Sequence, residues 1–325
     1  MRTLLLGIDI GTSACKVAAF LPSGEVVCTQ TAEYPVYYPK EGWAEQDPDE
    51  WWAAVCSAIR SIFDKGCVHP SEIAAIGVDG QSWSAIPVTA SGEVLHRTPI
   101  WTDTRSQGIC QSLQKKIDAD YLFSISGNPL QPTYTLPKIL WFKENLPEVY
   151  QRADKILQSN SYIVYRMTGV MTQDLSQGYG YQCFDMQHGT WNTAVCYGIG
   201  LNPDLLPDIV ACHKVVGTVT EAASKATRLL QGTPVVAGGL DAACGALGVG
   251  VIESGQTQEQ GGQAGGMSIC LDSYHADPRL ILGQHVVPGK WLLQGGTVGG
   301  GGMIRWFEAQ FCAEERQTAQ RSGKS

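Results

Sequence analysis

An α/β architecture is predicted, and three stretches of the sequence predict it. The apolar runs Leu4-Leu5-Leu6 and Val17-Ala18-Ala19-Phe20 flank Gly7-Ile8-Asp9-Ile10-Gly11-Thr12-Ser13-Ala14-Cys15-Lys16 and read as strand, tight turn, strand. Trp51, Trp52, Val55, Ile59, Ile62 and Phe63 recur at helical spacing behind a start signal at Asp47-Pro48. Pro234-Val235-Val236-Ala237 runs through Gly238-Gly239 into a helix of small residues, Asp241 to Gly248. At 325 residues the chain exceeds one ordinary core, so two domains or one large one are expected.

Taken in order, the first strands continue as an antiparallel meander, because Pro22-Ser23-Gly24 separates Val17 to Leu21 from Glu25 to Thr31. Glu33 to Gln46 has no helical period and reads as a loop across the sheet. Asp47 as N-cap with Glu50 three residues on predicts a capping box, and Gly66 predicts the stop. Ile73 to Val78 is a strand that ends in the polar segment Asp79 to Ser84, and Ala85 to Val88 resumes strand character. Helices are predicted over 107–117, 136–145 and 159–167, whereas 178–191 has no strong period and reads as irregular. Val215 to Thr220 and Thr233 to Ala237 are strands around a helix at 222–230. A second glycine hairpin, Gln260-Gly261-Gly262-Gln263 before Met267 to Leu271, repeats the form of the Gly11 turn and predicts a duplicated architecture. A last hairpin over 284–294 precedes an amphipathic segment, Met303 to Phe311.

Composition narrows the function. With 44% hydrophobic and 17% charged residues the chain is that of a packed domain, and a formal net charge of -8 without Lys/Arg blocks excludes general nucleic-acid binding. No apolar run approaches the roughly 20 residues that span a bilayer, and Met1-Arg2-Thr3 leads into a strand pattern and not a signal peptide, so no membrane partner is expected. The 11 cysteines are odd in number, scattered and without Cys-x-x-Cys, and read as reduced, buried hydrophobes of a cytoplasmic protein. Six dispersed histidines give no zinc pattern.

Candidate sites lie where strands end. Gly11 permits a close turn, and Thr12 and Ser13 add hydroxyls to its amides, a cradle suited to phosphate; Lys16 adds charge. Asp9, just before the turn, is placed to hold Mg²⁺, which takes few carboxylates plus substrate phosphates. Gln81, Ser82 and Trp83, and then Trp101 and Asp103, mix aromatic and hydrogen-bonding groups as a small polar ligand requires. Asp241 falls in the first turn of its helix, where free amides and the macrodipole keep a carboxylate ionised; both a chemical role and simple capping are open to it.

In combination these motifs resemble the FGGY family of carbohydrate kinases, and within it the xylulokinases. The resemblance is carried by residues 7–13, Gly80-Gln81, Trp101-Thr102-Asp103-Thr104-Arg105, Pro137-Lys138-Ile139-Leu140-Trp141 and residues 238–250. It implies an actin-like, RNase H-like ATPase fold, with a sugar-binding domain over 1–250 and an incomplete nucleotide-binding domain over 251–325. It further implies ATP and Mg²⁺, with Asp241 as catalytic base, Asp9 near the metal, and Thr12, Ser13, Gly261 and Gly262 at the phosphates. The implied activity is transfer of the ATP γ-phosphoryl group to a sugar hydroxyl, with a ketose such as xylulose, another polyol or a sugar acid as acceptor.

Three departures qualify that expectation. Ser82-Trp83 stands where xylulokinases carry Met-His, Gly261-Gly262-Gln263 stands where Gly-Thr-Ser is usual, and family members continue well past residue 325. A fragment, a frameshifted gene or a site completed by another subunit, including a homodimer partner, would each account for the length. The competing functions are a non-catalytic sugar-binding module and an actin-like ATPase without a sugar substrate. A nicotinamide dehydrogenase ranks last, because no Gly-x-Gly-x-x-Gly follows the first strand within a βαβ unit. Weak ATP binding is expected of the chain alone; the strands Met267 to Leu271 and Trp291 to Gln294 are expected to lack neighbours over their apolar faces, which should make residues beyond about Gly250 mobile or prone to aggregate.

Overall fold

The computed structural model describes residues 2–261, 265–297 and 299–323. β1 (Leu4–Ile10), β2 (Ala14–Phe20) and β3 (Val26–Glu33) form the predicted antiparallel meander, with Asp9 opposite Lys16. Alternation along β1 buries Leu4, Leu6, Ile8 and Ile10, each worth about 1.5–3 kcal/mol when fully removed from water. The chain crosses through α1 (Pro48–Asp64) and returns as β4 (Ile73–Gly80), parallel to β1 and in register so that Asp9 lies beside Asp79. β5 (Val215–Thr218), β6 (Pro234–Val236) and β7 (Gly239–Leu240) complete the sheet in the order β5-β6-β4-β1-β2-β3, with β7 paired to the end of β4.

α1 turns Trp51, Val55, Ile59 and Ile62 into the core beneath this sheet, as its period predicts. Asp47 caps it by accepting from the Asp49 amide at 3.0 Å. The expected reciprocal bond from Glu50 does not form, because Glu50 accepts from the Tyr37 hydroxyl at 2.7 Å. α2 (Thr135–Asn145) builds a second core with Leu136, Ile139 and Phe142, and α3 (Ser159–Thr168) packs against β4. Two helices that the sequence pattern does not predict, Ala119–Ser126 and Pro147–Arg152, accompany α2. The stretch expected to be irregular contains a 3₁₀ segment, Leu175–Tyr181, and a short hairpin pairing Phe184–Asp185 with Thr190–Trp191. Its buried tyrosines hold it there without an amphipathic period.

After α4 (Asp241–Gly248), a second sheet has the order β8-β9-β11-β10, from β8 (Thr257–Gly261), β9 (Gly265–Leu271), β10 (Ile281–Gln284) and β11 (Trp291–Thr297), and α5 (Gly301–Phe311) follows. The expectation of uncovered apolar faces on β9 and β11 holds only in part. Cys270 and Leu292 are buried, with Leu282 of β10, in one cluster with Tyr179, Phe184 and Leu240, whereas Met267 of β9 is exposed; the strands pair with each other and with β8 and β10. The Asn128 amide clamps this contact, donating to the Leu282 carbonyl at 2.8 Å and accepting from the Leu282 amide at 3.0 Å.

The expectation of uniformly reduced cysteines also needs correction. Cys28 of β3 and Cys67 beyond α1 are joined as a disulfide, since the meander brings the edge strand beside the helix's exit. Among the free cysteines of the described residues, Cys15, Cys56, Cys110, Cys183, Cys196, Cys212 and Cys270 are buried. No helix among the described residues is long and apolar enough to cross a membrane.

Candidate active site

The parallel register of β1, β4 and β7 gathers three carboxylates at their C-terminal ends. Asp9 and Asp79 are adjacent across β1 and β4, while Gly239 pairs with Asp79 and leads through Leu240 to Asp241. This convergence depends on Gly238. Its φ is +76°, and a Cβ there would lie 1.8 Å from the Val78 carbonyl oxygen, so only glycine lets the backbone pass β4 this closely.

Asp79 and Asp241 do not behave as ordinary carboxylates. Burial, then the neighbouring charges of Asp9 and Asp241 and a hydrogen bond shared with Asp9, hold Asp79 well above its usual range, with Lys16 pulling the other way. The Asp241 carboxyl is pushed up to about 7 by desolvation and by Asp9, against the Ala242 amide and Lys16. Its residue is nevertheless solvent-exposed, so the acid is ringed by protein and still reached by water. The expectation that the helix terminus keeps Asp241 ionised therefore needs revision, because desolvation by the surrounding protein, helped by the charge of Asp9, outweighs one amide. Nor is Asp241 the cap. Leu240 holds that position, and Asp241 Oδ1 accepts from the adjacent Ala242 amide at 2.6 Å.

The Gly11 turn lies beside these acids. Lys16 Nζ is 3.2 Å from Asp9 Oδ2, Ser13 is exposed, and the Thr12 hydroxyl accepts from Trp101 Nε1 at 2.9 Å. Gln81 is buried and ties the turn from below, donating to Gln46 Oε1 at 2.7 Å while Gln46 donates to the Thr12 carbonyl at 2.8 Å. Gly261 ends β8 on an exposed position, and Gly262 lies outside the described residues.

Ser82 and Trp83 lead away from β4 into an aromatic recess. Trp83 adopts φ 61°, a left-handed conformation unusual for a bulky residue. Three contacts hold it: its amide donates to Gln158 Oε1 at 2.9 Å, its carbonyl accepts from Lys138 Nζ at 2.8 Å, and its ring packs 4.7 Å from that of Tyr134. The Thr135 hydroxyl is buried without a protein partner, Trp83 Nε1 has none beyond the neighbouring Tyr179 hydroxyl, and the Trp83 and Thr135 side chains flank Gly180. Orphaned polar atoms of this kind are what a bound hydroxyl-rich ligand would satisfy. Lys138 is fully buried and also donates to the Ile100 carbonyl at 2.8 Å, with burial lowering its pKa to about 7.

Asp103 is placed differently from the expectation of a ligand contact. It is fully buried, one oxygen accepts from the Ala44 amide at 2.7 Å, and both oxygens are held by Arg105 at 2.7–3.0 Å. Arg105 in turn pairs with Glu45 at 2.8 Å and lies 3.8 Å from the Trp43 ring centroid. Asp79 and Lys138 were not singled out as site residues from the sequence. An acid closing the run Ile73 to Val78 was the available signal for Asp79, whereas the burial of Lys138 had none.

Comparison with known proteins decides the family. The model of the FGGY family of carbohydrate kinases, N-terminal domain, matches residues 4–248. The chain belongs to the FGGY family of carbohydrate kinases. It is 30% identical over 316 residues to the xylulose kinase of Bacillus subtilis, covering 96% of this chain and 62% of that protein. It is 26% identical over 325 residues to the Bacillus subtilis gluconokinase, covering 63% of it. The crystal structure of xylulose kinase from Rhodospirillum rubrum superposes with a TM-score of 0.90 at 25% identity, over 98% of this chain and 65% of that one. This FGGY chain thus has the actin-like ATPase fold of its family and spans less than two thirds of these relatives' length.

Proposed function

We propose that this FGGY chain carries the sugar site and catalytic base of an ATP-dependent carbohydrate kinase, with a ketose such as xylulose as acceptor. The supporting observation is the convergence of Asp241, Asp9 and Asp79 beside a glycine turn at one end of the sheet, next to a recess with orphaned polar atoms. The sugar hydroxyl oxygen attacks the γ-phosphorus of ATP, the bond to the bridging β,γ oxygen breaks, ADP leaves, and the hydroxyl proton passes to Asp241. A base with a pKa near 7 suits this task at neutral pH, where general-base help is worth about 10²- to 10⁴-fold.

We assign residues 1–250 to the sugar-binding domain and 251–325 to the beginning of the nucleotide-binding domain. Gly11, Thr12, Ser13 and Lys16 face the phosphates, joined by Gly261 and Gly262. The fit to Mg²⁺ rests on the paired carboxyls of Asp9 and Asp79, hard oxygen donors that share a hydrogen bond. Few protein ligands are needed, because magnesium is usually held by one or two carboxylates together with substrate phosphates. When bound, Mg²⁺ would neutralise charge developing on the transferring group. Ser82, Trp83 and Trp101 form the sugar wall, and two buried residues act behind it, Gln81 by bracing the Thr12 turn through Gln46 and Asp103 by fixing Arg105 and the Ala44 backbone. Gluconokinase similarity keeps a sugar acid as the second candidate acceptor.

Asp241→Asn keeps the shape and cannot take the proton. In a form completed with the remaining family segment, the variant should lose at least about 100-fold in kcat while sugar binding by calorimetry is retained. For the unsubstituted protein, kcat/KM should fall as pH drops below about 7, where Asp241 is protonated. Activity of the variant within about tenfold of the parent would remove Asp241 from the chemistry.

A further inference from the structure

A second concavity lies against β5, the edge strand of the first sheet, and shares no residue with the candidate active site. It is a cleft of about 620 Å³ between β5 and a two-stranded ladder in which Thr172–Asp174 runs parallel to Asp208–Val210. Small-molecule sites commonly measure about 300–1,000 Å³.

The lining has the chemistry that an uncharged sugar requires. Trp191 offers an indole already fixed in place, since its ring packs 5.0 Å from that of Tyr181 and 5.5 Å from that of Phe184, and its Nε1 donates to the Pro207 carbonyl at 2.7 Å. A pre-ordered aromatic covers the C–H side of a sugar ring without a further entropy cost. Val170 and Val215 add apolar surface and are themselves 37% and 53% exposed. Lys214 supplies donors, Asp208 acceptors, and the Thr190 hydroxyl both. Among the described residues neither the Lys214 nor the Asp208 side chain has an ion pair or hydrogen bond, with each other or elsewhere, and both are exposed. One cation balanced by one anion gives no net charge to draw a phosphate or a carboxylate into the cleft, which leaves a neutral polyhydroxyl compound as the best complement.

The walls of this cleft also hold the approach to Asp241. The Lys214 carbonyl accepts from the Ala237 amide at 2.9 Å and the Cys212 carbonyl from the Gly238 amide at 3.0 Å, while Val215 is the register partner of Val236. On the opposite wall, Thr172 begins a strand that ends at Asp174. Asp174 Oδ1 accepts from the Ser176 hydroxyl, and Ser176 Oγ accepts from the Leu240 amide at 2.9 Å. Both walls therefore lead, through continuous hydrogen bonds, to the backbone immediately ahead of Asp241.

We infer that the cleft between β5 and the Asp208–Val210 strand is a second carbohydrate site, for an uncharged mono- or disaccharide, and that its occupancy is coupled to the Gly238 passage into α4. The coupling rests on the role proposed for Asp241; the binding rests on the cleft alone.

Calorimetry on the 325-residue chain with xylose, xylulose and xylobiose, against gluconate and ribose 5-phosphate as charged controls, tests the binding. At least one neutral sugar should bind with a Kd below about 10 mM. Lys214→Met and Asp208→Asn alter exposed side chains only, so each should keep the parent's circular dichroism and weaken that binding by at least about tenfold. Trp83→Ala should leave this binding in place, which separates it from the recess beside Asp241. Hydrogen exchange should show added protection in residues 208–216 and at the Ala237 and Gly238 amides. No binding of any neutral sugar, equal or tighter binding of the charged controls, indifference to both cleft variants, or loss of all binding in Trp83→Ala would overturn the site, and protection confined to 208–216 would overturn the coupling. None of these readouts involves turnover, so the kinase assignment and this site stand or fall separately.

Discussion

Replacing Lys138 by methionine should change how the stability of this chain responds to pH, and the structure gives the size of the change. The lysine is fully buried, donates to the Trp83 and Ile100 carbonyls at 2.8 Å each, and has its pKa lowered by burial from 10.5 to about 7. Between those values the unfolded chain holds a proton that the folded chain has released, so stability rises with pH across that window. At about 1.4 kcal/mol for each pH unit crossed, the full window is worth about 5 kcal/mol, of which about 3 kcal/mol falls between pH 6 and pH 9. Methionine keeps most of the stem's volume and has no proton to lose, and it leaves two carbonyls without donors at about 1–3 kcal/mol each. Urea denaturation followed by circular dichroism at pH 6, 7.5 and 9 should therefore show the parent gaining on Lys138→Met by about 3 kcal/mol as pH rises. Parallel stability curves for the two proteins would mean that Lys138 stays charged when folded, against the lowering of its pKa by burial.

Further outcomes follow from the same contacts. Gly238→Ala places a Cβ 1.8 Å from the Val78 oxygen at φ +76°, so it should destabilise by at least about 3 kcal/mol or leave the chain insoluble, read by denaturation midpoint. Asp103→Ala removes the main partner of the fully buried Arg105 and should cost about 3–5 kcal/mol, with sugar binding lost as a consequence of a disordered loop; a stability change under about 1 kcal/mol would contradict the buried-pair account. Trp83→Ala removes a ring packed on Tyr134, so it should lower the denaturation midpoint while the chain still folds, and should weaken sugar binding by about tenfold or more in calorimetry; unchanged affinity would reduce Trp83 to packing.

Much of this was legible along the chain because it is local. The meander, α1 and the Gly-Gly passage into α4 are set by turns and periods within a few residues, and the structure places all three as predicted. The hydrogen bond between the Thr12 hydroxyl and Trp101 was not legible, nor was the pairing of Asp79 with Asp9 across parallel strands separated by α1, since parallel register is a long-range property. Asp103 misled for a related reason. A carboxylate among aromatics looks like a ligand contact until the arginine two residues on folds back to occupy it. The capping box at Asp47 failed because Tyr37, outside the local window, reached Glu50 first. Residues 175–181 carry no period because their tyrosines pack in several directions and not on one face.

The double grip of Lys138 has a consequence for attempts to redesign acceptor choice. Its Nζ joins the carbonyl of Trp83 to that of Ile100, and the next residue, Trp101, is bonded to Thr12 in the turn beside Asp9. The side chains that would select a sugar and the turn that would receive a phosphate are thus parts of one mechanical linkage. Transplanting the two residues after Gln81 from a relative with another preference would force Trp83's left-handed backbone on a new side chain and shift the lysine's anchor. The displacement would pass to Trp101 and then to Thr12. Acceptor preference here would be exchanged as a cassette of both loops with their lysine, and single-position swaps would be expected to trade turnover for specificity.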